Sequence, residues 1–585
     1  MADETVAVFD WVDWLVYGFA LLGSLLIGVY YGCTGKKQST TDEVLLGGRN
    51  MSVFPVSLSI CATLISTVAV IGFPAEVYYH GTMLWLIVIG ISIGFIVTAH
   101  VYYPIYYDLH ITSIFEYLEL RFNKTVRIMA VITYSFQILV FISVQLYASS
   151  ITLSQVSGIP FWGTVILNGL VCMLYTSLGG MKAVLWADSL QLCLILCGSL
   201  ALIIQGSVNL GGLGRVFEIA AEHDRIQFDE FDPNPTTRHS VWGLTIGMGF
   251  FHISLFSSSQ HSVQRYLTLG TKIRGQGALY LNTILTTILV SIVILVGIVM
   301  FATYASCDPI KLGQVEKVDQ MPAYLVVDLF GHLRGMSGLF IVTVIAAAMS
   351  TMSSGQNALA AVFLEDITKP IYKAVHNKPI PERFATNITK FFGIFFGLAT
   401  MVITFILADT KETILNIAWK LLGILGGPLF GMFTLGILFP RANAWGVAAG
   451  LISSLGVLIW INAGVLMFKI RPDNLPTDIS GCESITYFNE TSVEAFNMTT
   501  IGSSNTSHLE PPPETLNANA TGTMHDTEPE IFNLYRISYV WYTLIALIVT
   551  LVVGLPVSLI AEYTIGGYEV KDKRLIWTLP CMKQT

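Results

Sequence analysis

Apolar stretches long enough to cross a bilayer recur from Asp10 to Ala561, separated by short polar or basic segments. A helix satisfies its own backbone in lipid, so this alternation predicts membrane-spanning helices rather than soluble layers. We place thirteen of them, at 11–32, 52–78, 83–107, 126–157, 160–178, 185–206, 239–269, 276–305, 336–366, 385–408, 414–438, 443–468 and 536–562. The fold class expected is an all-α polytopic membrane protein.

Polar residues inside three of these runs break the pattern. The ninth carries AAAMSTMSSGQN over 346–357, with Ser350, Ser354 and Asn357 on one helical face and Thr351 beside it. The carbonyl of Ala347, one turn back, lies next to the hydroxyls of Ser350 and Thr351. Such a row of neutral oxygens suits a hard monovalent cation such as sodium; equally, the hydroxyls can bond the preceding turn or join helices. The second span holds Ser57, Ser59, Thr63, Ser66 and Thr67 ahead of Gly72 and Pro74. The seventh holds Gly247 and Gly249 followed by Ser257, Ser258, Ser259 and Gln260. Both are expected to unwind, which lipid tolerates only where freed backbone lines a cavity. They open two consecutive groups of five spans, 52–206 and 239–438, and an odd group length inverts the second against the first. Interrupted helices at matching positions of inverted repeats point to a transporter's central site; hinges or close helix contacts are the bland alternative.

Basic residues set the orientation. Lys36, Lys37, Arg121, Lys124, Lys182, Lys272, Arg274, Lys369, Lys373, Lys378, Arg441, Lys571 and Lys573 fall mostly on one side, which the positive-inside rule makes cytoplasmic. The expected order is an extracellular amino terminus with an extra first helix (1–33), the repeats, a twelfth helix (443–468), an extracellular loop (469–535), a last helix (536–562) and a cytoplasmic tail (563–585). The loop is poor in apolar residues and carries sequons at Asn489, Asn497, Asn505 and Asn519, expected to be glycosylated. Sequons at Asn123 and Asn387 fall on or near the cytoplasmic side and should go unused.

Composition agrees: 53% of residues are apolar and 12% charged, with mean hydropathy +0.65. The acidic start MADETVAVFDW lacks the basic leader of a cleavable signal. The net charge of −8 gathers in presumed external loops, such as Asp224, Asp229, Glu230 and Asp232, and gives no reason to expect nucleic acid. Eight cysteines are scattered without a CxxC pair; Cys307 and Cys482, both in segments placed outside, are expected to form a disulfide. No HExxH spacing or nucleophile elbow occurs among these spans, so an enzyme is not expected. Asp188, at the cytoplasmic start of the sixth span with Gln191 one turn on, is either a helix cap or an ion ligand.

Several motifs together resemble the sodium/solute symporter family. They are Gly47–Gly48–Arg49, YTSLGGMKAV at 175–184, Val263–Gln264–Arg265–Tyr266, the hydroxyl cluster at Ser350, and Gly427–Pro428–Leu429–Phe430–Gly431. Through GGMKAV, QRY and STMSSGQNALAAVFLEDITKP the chain is similar to the branch of iodide, multivitamin and monocarboxylate symporters. The resemblance implies a leucine-transporter-like core of two inverted five-helix repeats working by alternating access, with sodium as coupling ion and no other cofactor. It also implies a shared sodium site at the carbonyls of Ala62, Ile65 and Ala347 and the hydroxyls of Ser350 and Thr351. A second sodium site would draw on Thr63, Asp188, Gln191 and Gln260. Two departures, Ala69 and His252, stand where the iodide symporter has glutamine and tryptophan, which argues against iodide. Ser66, Ala69 and His252 are expected to line the substrate cavity.

The function expected is import of a small organic anion, a monocarboxylate or a vitamin such as biotin or pantothenate, driven by sodium across the plasma membrane. The rivals are a sensor that no longer transports, a sodium-permeable channel, and an inorganic-anion symporter. A homodimer is compatible with the pattern.

Overall fold

The computed structural model describes residues 9–33, 40–331, 333–408, 413–470, 474–482, 532–565 and 572–577, and among these the regular structure is helical throughout. The four external sequons, Asn489, Asn497, Asn505 and Asn519, lie outside the described residues. The principal helices are α1 (Trp11–Cys33), α2 (Val53–Leu64), α3 (Thr67–His80), α4 (Thr82–Asp108), α5 (Lys124–Ser157), α6 (Phe161–Asn209), α7 (Met248–Ser257) and α8 (Gln260–Tyr266). They are followed by α9 (Lys272–Thr303), α10 (Met336–Val362), α11 (Glu382–Leu407), α12 (Ile414–Leu438), α13 (Ala444–Met467) and α14 (Tyr542–Ile565).

Among the described residues ten helices are long and apolar enough to cross a membrane, or eleven when α2 and α3 count as one bent span. The thirteen crossings predicted are therefore not reproduced by that count. Reaching them requires dividing α6 and adding the interrupted pair α7–α8. The division has a physical basis, because 49 helical residues would run about 74 Å, more than twice a hydrocarbon core. Within α6 the backbone leaves the helical region at Gly180, at φ 59° and ψ −159°. A side chain there would be strained, and its Cβ would sit 2.8 Å from the Val44 carbonyl oxygen. The glycine pair of YTSLGGMKAV thus marks where the chain reverses.

Both interruptions predicted from the hydroxyl clusters are present. The axis bends 51° between α2 and α3. Ile65 has left the helix at φ −82°, ψ 66°, and Ser66 is extended at φ −74°, ψ 174°. The second break falls at Ser258 and Ser259, between α7 and α8. Backbone freed in this way needs partners from neighbours, and α10 supplies them. It packs against α6, α5 and α1 and touches α2 and α3. Its membrane window is 89% buried, against 33% for α11, so α10 is the central post and α11 a peripheral helix. Opposite it, α4 lies close against α7 because Gly94 has no side chain; a Cβ there would meet the Cβ of His252 at 2.7 Å.

Cys307 and Cys482 form a disulfide with Cα atoms 4.9 Å apart. It ties the segment after α9 to the chain leaving α13, across a sequence separation of 175. Opening so long a loop by Cys307→Ser with Cys482→Ser costs about 2–5 kcal/mol. The expected result is a lower thermal midpoint in detergent, matched by the wild type under reductant; an unchanged midpoint would show that the tie adds no stability.

Candidate functional site

The first cluster of oxygens forms where the α2–α3 break meets α10. Ser350 Oγ donates to the Ala62 carbonyl at 3.0 Å and to the Ala347 carbonyl at 3.1 Å. Thr351 Oγ1 donates to the Thr63 and Ala347 carbonyls, each at 3.2 Å. Three carbonyls and two hydroxyls from two separate helices therefore face one another, and Ser350, Thr351, Ala62 and Ala347 are all buried. Ile65 belongs to the same break. The amides of Ala69 and Val70 both bond to Ser66, which leaves the Ile65 carbonyl outside the start of α3. Thr67 Oγ1 stitches that start to α10 through the Val344 carbonyl at 3.2 Å. Each hydroxyl has lone pairs beyond the proton it donates, so this cluster can offer five neutral oxygens without losing its internal bonds. That donor chemistry fits a hard alkali cation, and it includes the Thr63 carbonyl, which the sequence reading did not assign.

A second cluster differs from the one expected. Arg265, in α8, sends Nε to Ser59 Oγ at 2.8 Å and Nη1 to the His261 carbonyl at 3.0 Å. Its Nη2 pairs with Asp188 Oδ2 at 3.2 Å and bonds Thr63 Oγ1 and Ser354 Oγ. Ser59 completes the arrangement by donating to the same Asp188 oxygen at 2.5 Å. The four residues expected at a second sodium position are not brought together. Thr63 and Asp188 do converge, but they surround a guanidinium that already meets the carboxylate's charge. Gln260 is elsewhere: its amide accepts from Ile114 N at 2.9 Å and donates to the Thr112 carbonyl at 2.8 Å, holding the loop between α4 and α5. Gln191 donates weakly to Ser24 Oγ at 3.4 Å, between α6 and α1. Asp188 is also no helix cap, since it lies well inside α6. Arg265 is the residue sequence reasoning passed over. The signal was present, because a lone arginine directly after an interrupted membrane helix must find a buried partner.

Between these clusters lies a cavity of about 60 Å³, and Ser66, Ala69 and His252 all line it. Arg265 is on its wall too, with Phe73, Phe251 and Trp419. His252 Nδ1 bonds the Met248 carbonyl at 2.7 Å, so a neutral imidazole presents only the acceptor Nε2 to a ligand. A vestibule of about 780 Å³, lined in part by Tyr539, lies beyond, and a cluster of tilted and edge-on rings links the two linings. Trp419 contacts Phe73 at 5.6 Å, Phe251 at 6.2 Å and Tyr539 at 5.3 Å between centroids.

Two helices broken at matching places, the first of them lining a buried cavity beside a central post, are the architecture of a secondary transporter. The family model for the sodium:solute symporter family matches residues 44–454, and the chain belongs to that family. Sodium is the family's coupling ion and a small solute its cargo. Among curated proteins, it is 34% identical over 582 residues to sodium-coupled monocarboxylate transporter 1 of Mus musculus, covering 99% of this chain and 91% of that one. It is 36% identical over 560 residues to the sodium-dependent multivitamin transporter of Oryctolagus cuniculus, covering 96% and 84%. Among solved structures, a sodium-coupled sialic acid symporter in an outward-open state superimposes with TM-score 0.71, covering 94% of this chain and 98% of that one. At 22% identity that likeness speaks for the fold, a leucine-transporter-like core.

Proposed function

We propose that this chain imports a small organic monoanion together with sodium across the plasma membrane, with its amino terminus outside and its carboxyl terminus inside. The observation that carries the reading is the meeting of the Ser350 and Thr351 hydroxyls with the Ala62, Thr63 and Ala347 carbonyls. An ion held there bridges α2 and α10, so its occupancy biases which arrangement of the two repeats is stable. Coupling then follows by linkage, because whatever favours the ion-bound arrangement also favours the solute that binds it.

For the solute, the amino terminus of α3 at Ser66 and Thr67 opens at the cavity and carries the positive end of a helix dipole. Arg265 adds a cationic group to the same wall. Cavity size favours the small end of the candidates. At about 30 Å³ per water in the liquid, about 60 Å³ is the space of roughly two waters. That suits a small carboxylate such as acetate and is too little for biotin.

The driving force is modest but sufficient. A charge crossing about 60 mV releases roughly 1.4 kcal/mol. A roughly tenfold sodium gradient adds about 1.4 kcal/mol more. One sodium with one monoanion is electroneutral and uses only the chemical gradient; a second sodium makes transport electrogenic. The test is uptake into proteoliposomes under an inward sodium gradient, with short monocarboxylates, biotin, pantothenate and iodide compared. Short monocarboxylates are expected to accumulate above equilibrium, and the reversal potential gives the number of ions. Equilibration without accumulation would identify a channel, and no flux with any solute would leave a sensor.

A further inference from the structure

The vestibule has a charged floor that the cycle above does not use. Glu76, His80, Arg238, Asp319, Lys420 and Arg536 line it, so three permanently basic side chains face two carboxylates. Glu76 sits in the last turn of α3 and is buried. Arg238 grips it with both forks: Nε to Oε1 at 2.5 Å and Nη2 to Oε2 at 2.9 Å. The same Nη2 reaches Asn416 Oδ1 at 3.3 Å, which ties α3, the chain entering α7, and α12 together.

This clamp is continuous with the aromatic plug. The guanidinium lies 5.2 Å above the Tyr539 ring, and Tyr539 packs on Trp419, which closes the central cavity. His239 bonds Tyr539 through Nε2 at 2.9 Å and stands 3.4 Å from Glu76, while its buried Nδ1 has no hydrogen-bond partner. His80 stands 3.7 Å from the same Glu76 oxygen, its ring edge-on to that of His239. Asp319 accepts the Ile414 amide at 2.8 Å. Burial pushes its carboxyl up to about 6.

We propose that Arg238 is the outer recognition residue for the transported anion, and that an arriving carboxylate exchanges with Glu76 on its guanidinium. The exchange is like for like. A planar carboxylate from solvent can make the same two parallel bonds that Glu76 makes, whereas a spherical halide cannot. Once Arg238 turns to the solute, α3 and α12 lose their shared tether and the Tyr539–Trp419 stack loses the cation above it. The latch is thereby opened by the class of molecule it admits. The inference rests on the reading of this chain as an importer of organic anions.

The experiment compares Glu76→Gln with Arg238→Gln in the full-length chain, measuring the half-saturating acetate concentration and the sodium-evoked charge movement without acetate. Removing the internal competitor should lower half-saturation several-fold in Glu76→Gln. Removing the bidentate donor should raise it about tenfold or more in Arg238→Gln. Charge movement should persist in both, because neither residue touches the Ser350–Thr351 cluster. If both variants raise half-saturation alike, the pair is a brace and the exchange is wrong. If the wild type shows no sodium-evoked charge movement, the transport reading itself fails and takes this one with it. Should Arg238→Gln not reach the surface, Asn416→Ala, which frees one of the arginine's tethers, must lower half-saturation alongside Glu76→Gln; a rise in either overturns the proposal.

Discussion

Replacing Ser350 and Thr351 together by alanine is expected to abolish sodium-dependent uptake while the protein still reaches the membrane. Each hydroxyl donates to two carbonyls in the structure, so the pair closes the gap between the α2–α3 break and α10. Removing them has two effects of different size. The internal hydrogen bonds lost are worth about 0.5–1.5 kcal/mol each, which a large buried helix bundle withstands. The ion loses two of its ligands. If each contact matches a hydrogen bond to a charged group, about 1.5–3 kcal/mol, the loss totals about 3–6 kcal/mol. That corresponds to roughly a hundredfold to ten-thousandfold weaker sodium binding. No attainable sodium concentration compensates for a change near the upper limit. Uptake and surface biotinylation on the same cells make the check. Wild-type sodium dependence in the double variant would remove the ion from this place.

Arg265→Met has the next largest effect, and it falls on abundance before activity. Among the described residues the guanidinium is the charge partner of Asp188, and it also bonds Ser59, Thr63 and Ser354, so it knots α8 to α2, α6 and α10. Taking away one member of a buried ion pair costs about 3–5 kcal/mol, because the other charge is left without compensation. Arg265→Met alone is therefore expected to fold poorly. Adding Asp188→Asn removes the stranded charge, and abundance should recover to near the wild-type level. Transport should not recover, because the cavity wall has lost its cation. Membrane abundance and acetate uptake, measured across the single and double variants, separate these outcomes. An abundant Arg265→Met protein would show that Asp188 finds another partner. Recovered transport in the double variant would show that the arginine has no part in binding the solute.

Much of the architecture was legible because lipid leaves few options. A run of apolar residues must become a helix, and hydroxyls, glycines and prolines inside such a run must either be satisfied by neighbours or break it. Ser66–Thr67 and Ser257–Ser259 announced the two breaks on that ground, and 346–357 announced the central post. Gly180 shows where the same reasoning stops. Sequence pattern separates 160–178 from 185–206 without saying how they join; the structure joins them through a kink at Gly180, whose positive φ and close neighbour Val44 leave no room for a side chain.

What the sequence determined by itself was the class of structure, the two interrupted spans and the placing of the Ser350 and Thr351 hydroxyls beside the Ala347 carbonyl. Those follow from local chemistry, because the hydroxyls sit one helical turn from the carbonyls they can use. Tertiary structure alone decided which distant charges meet. Asp188 and Arg265 are 77 residues apart, and Glu76 and Arg238 are 162 apart. Thr63 therefore faces a guanidinium, while Gln260 is drawn away to a loop that no periodicity relates to it. Pairing across such separations is set by how helices pack, and a single sequence carries no record of that distance.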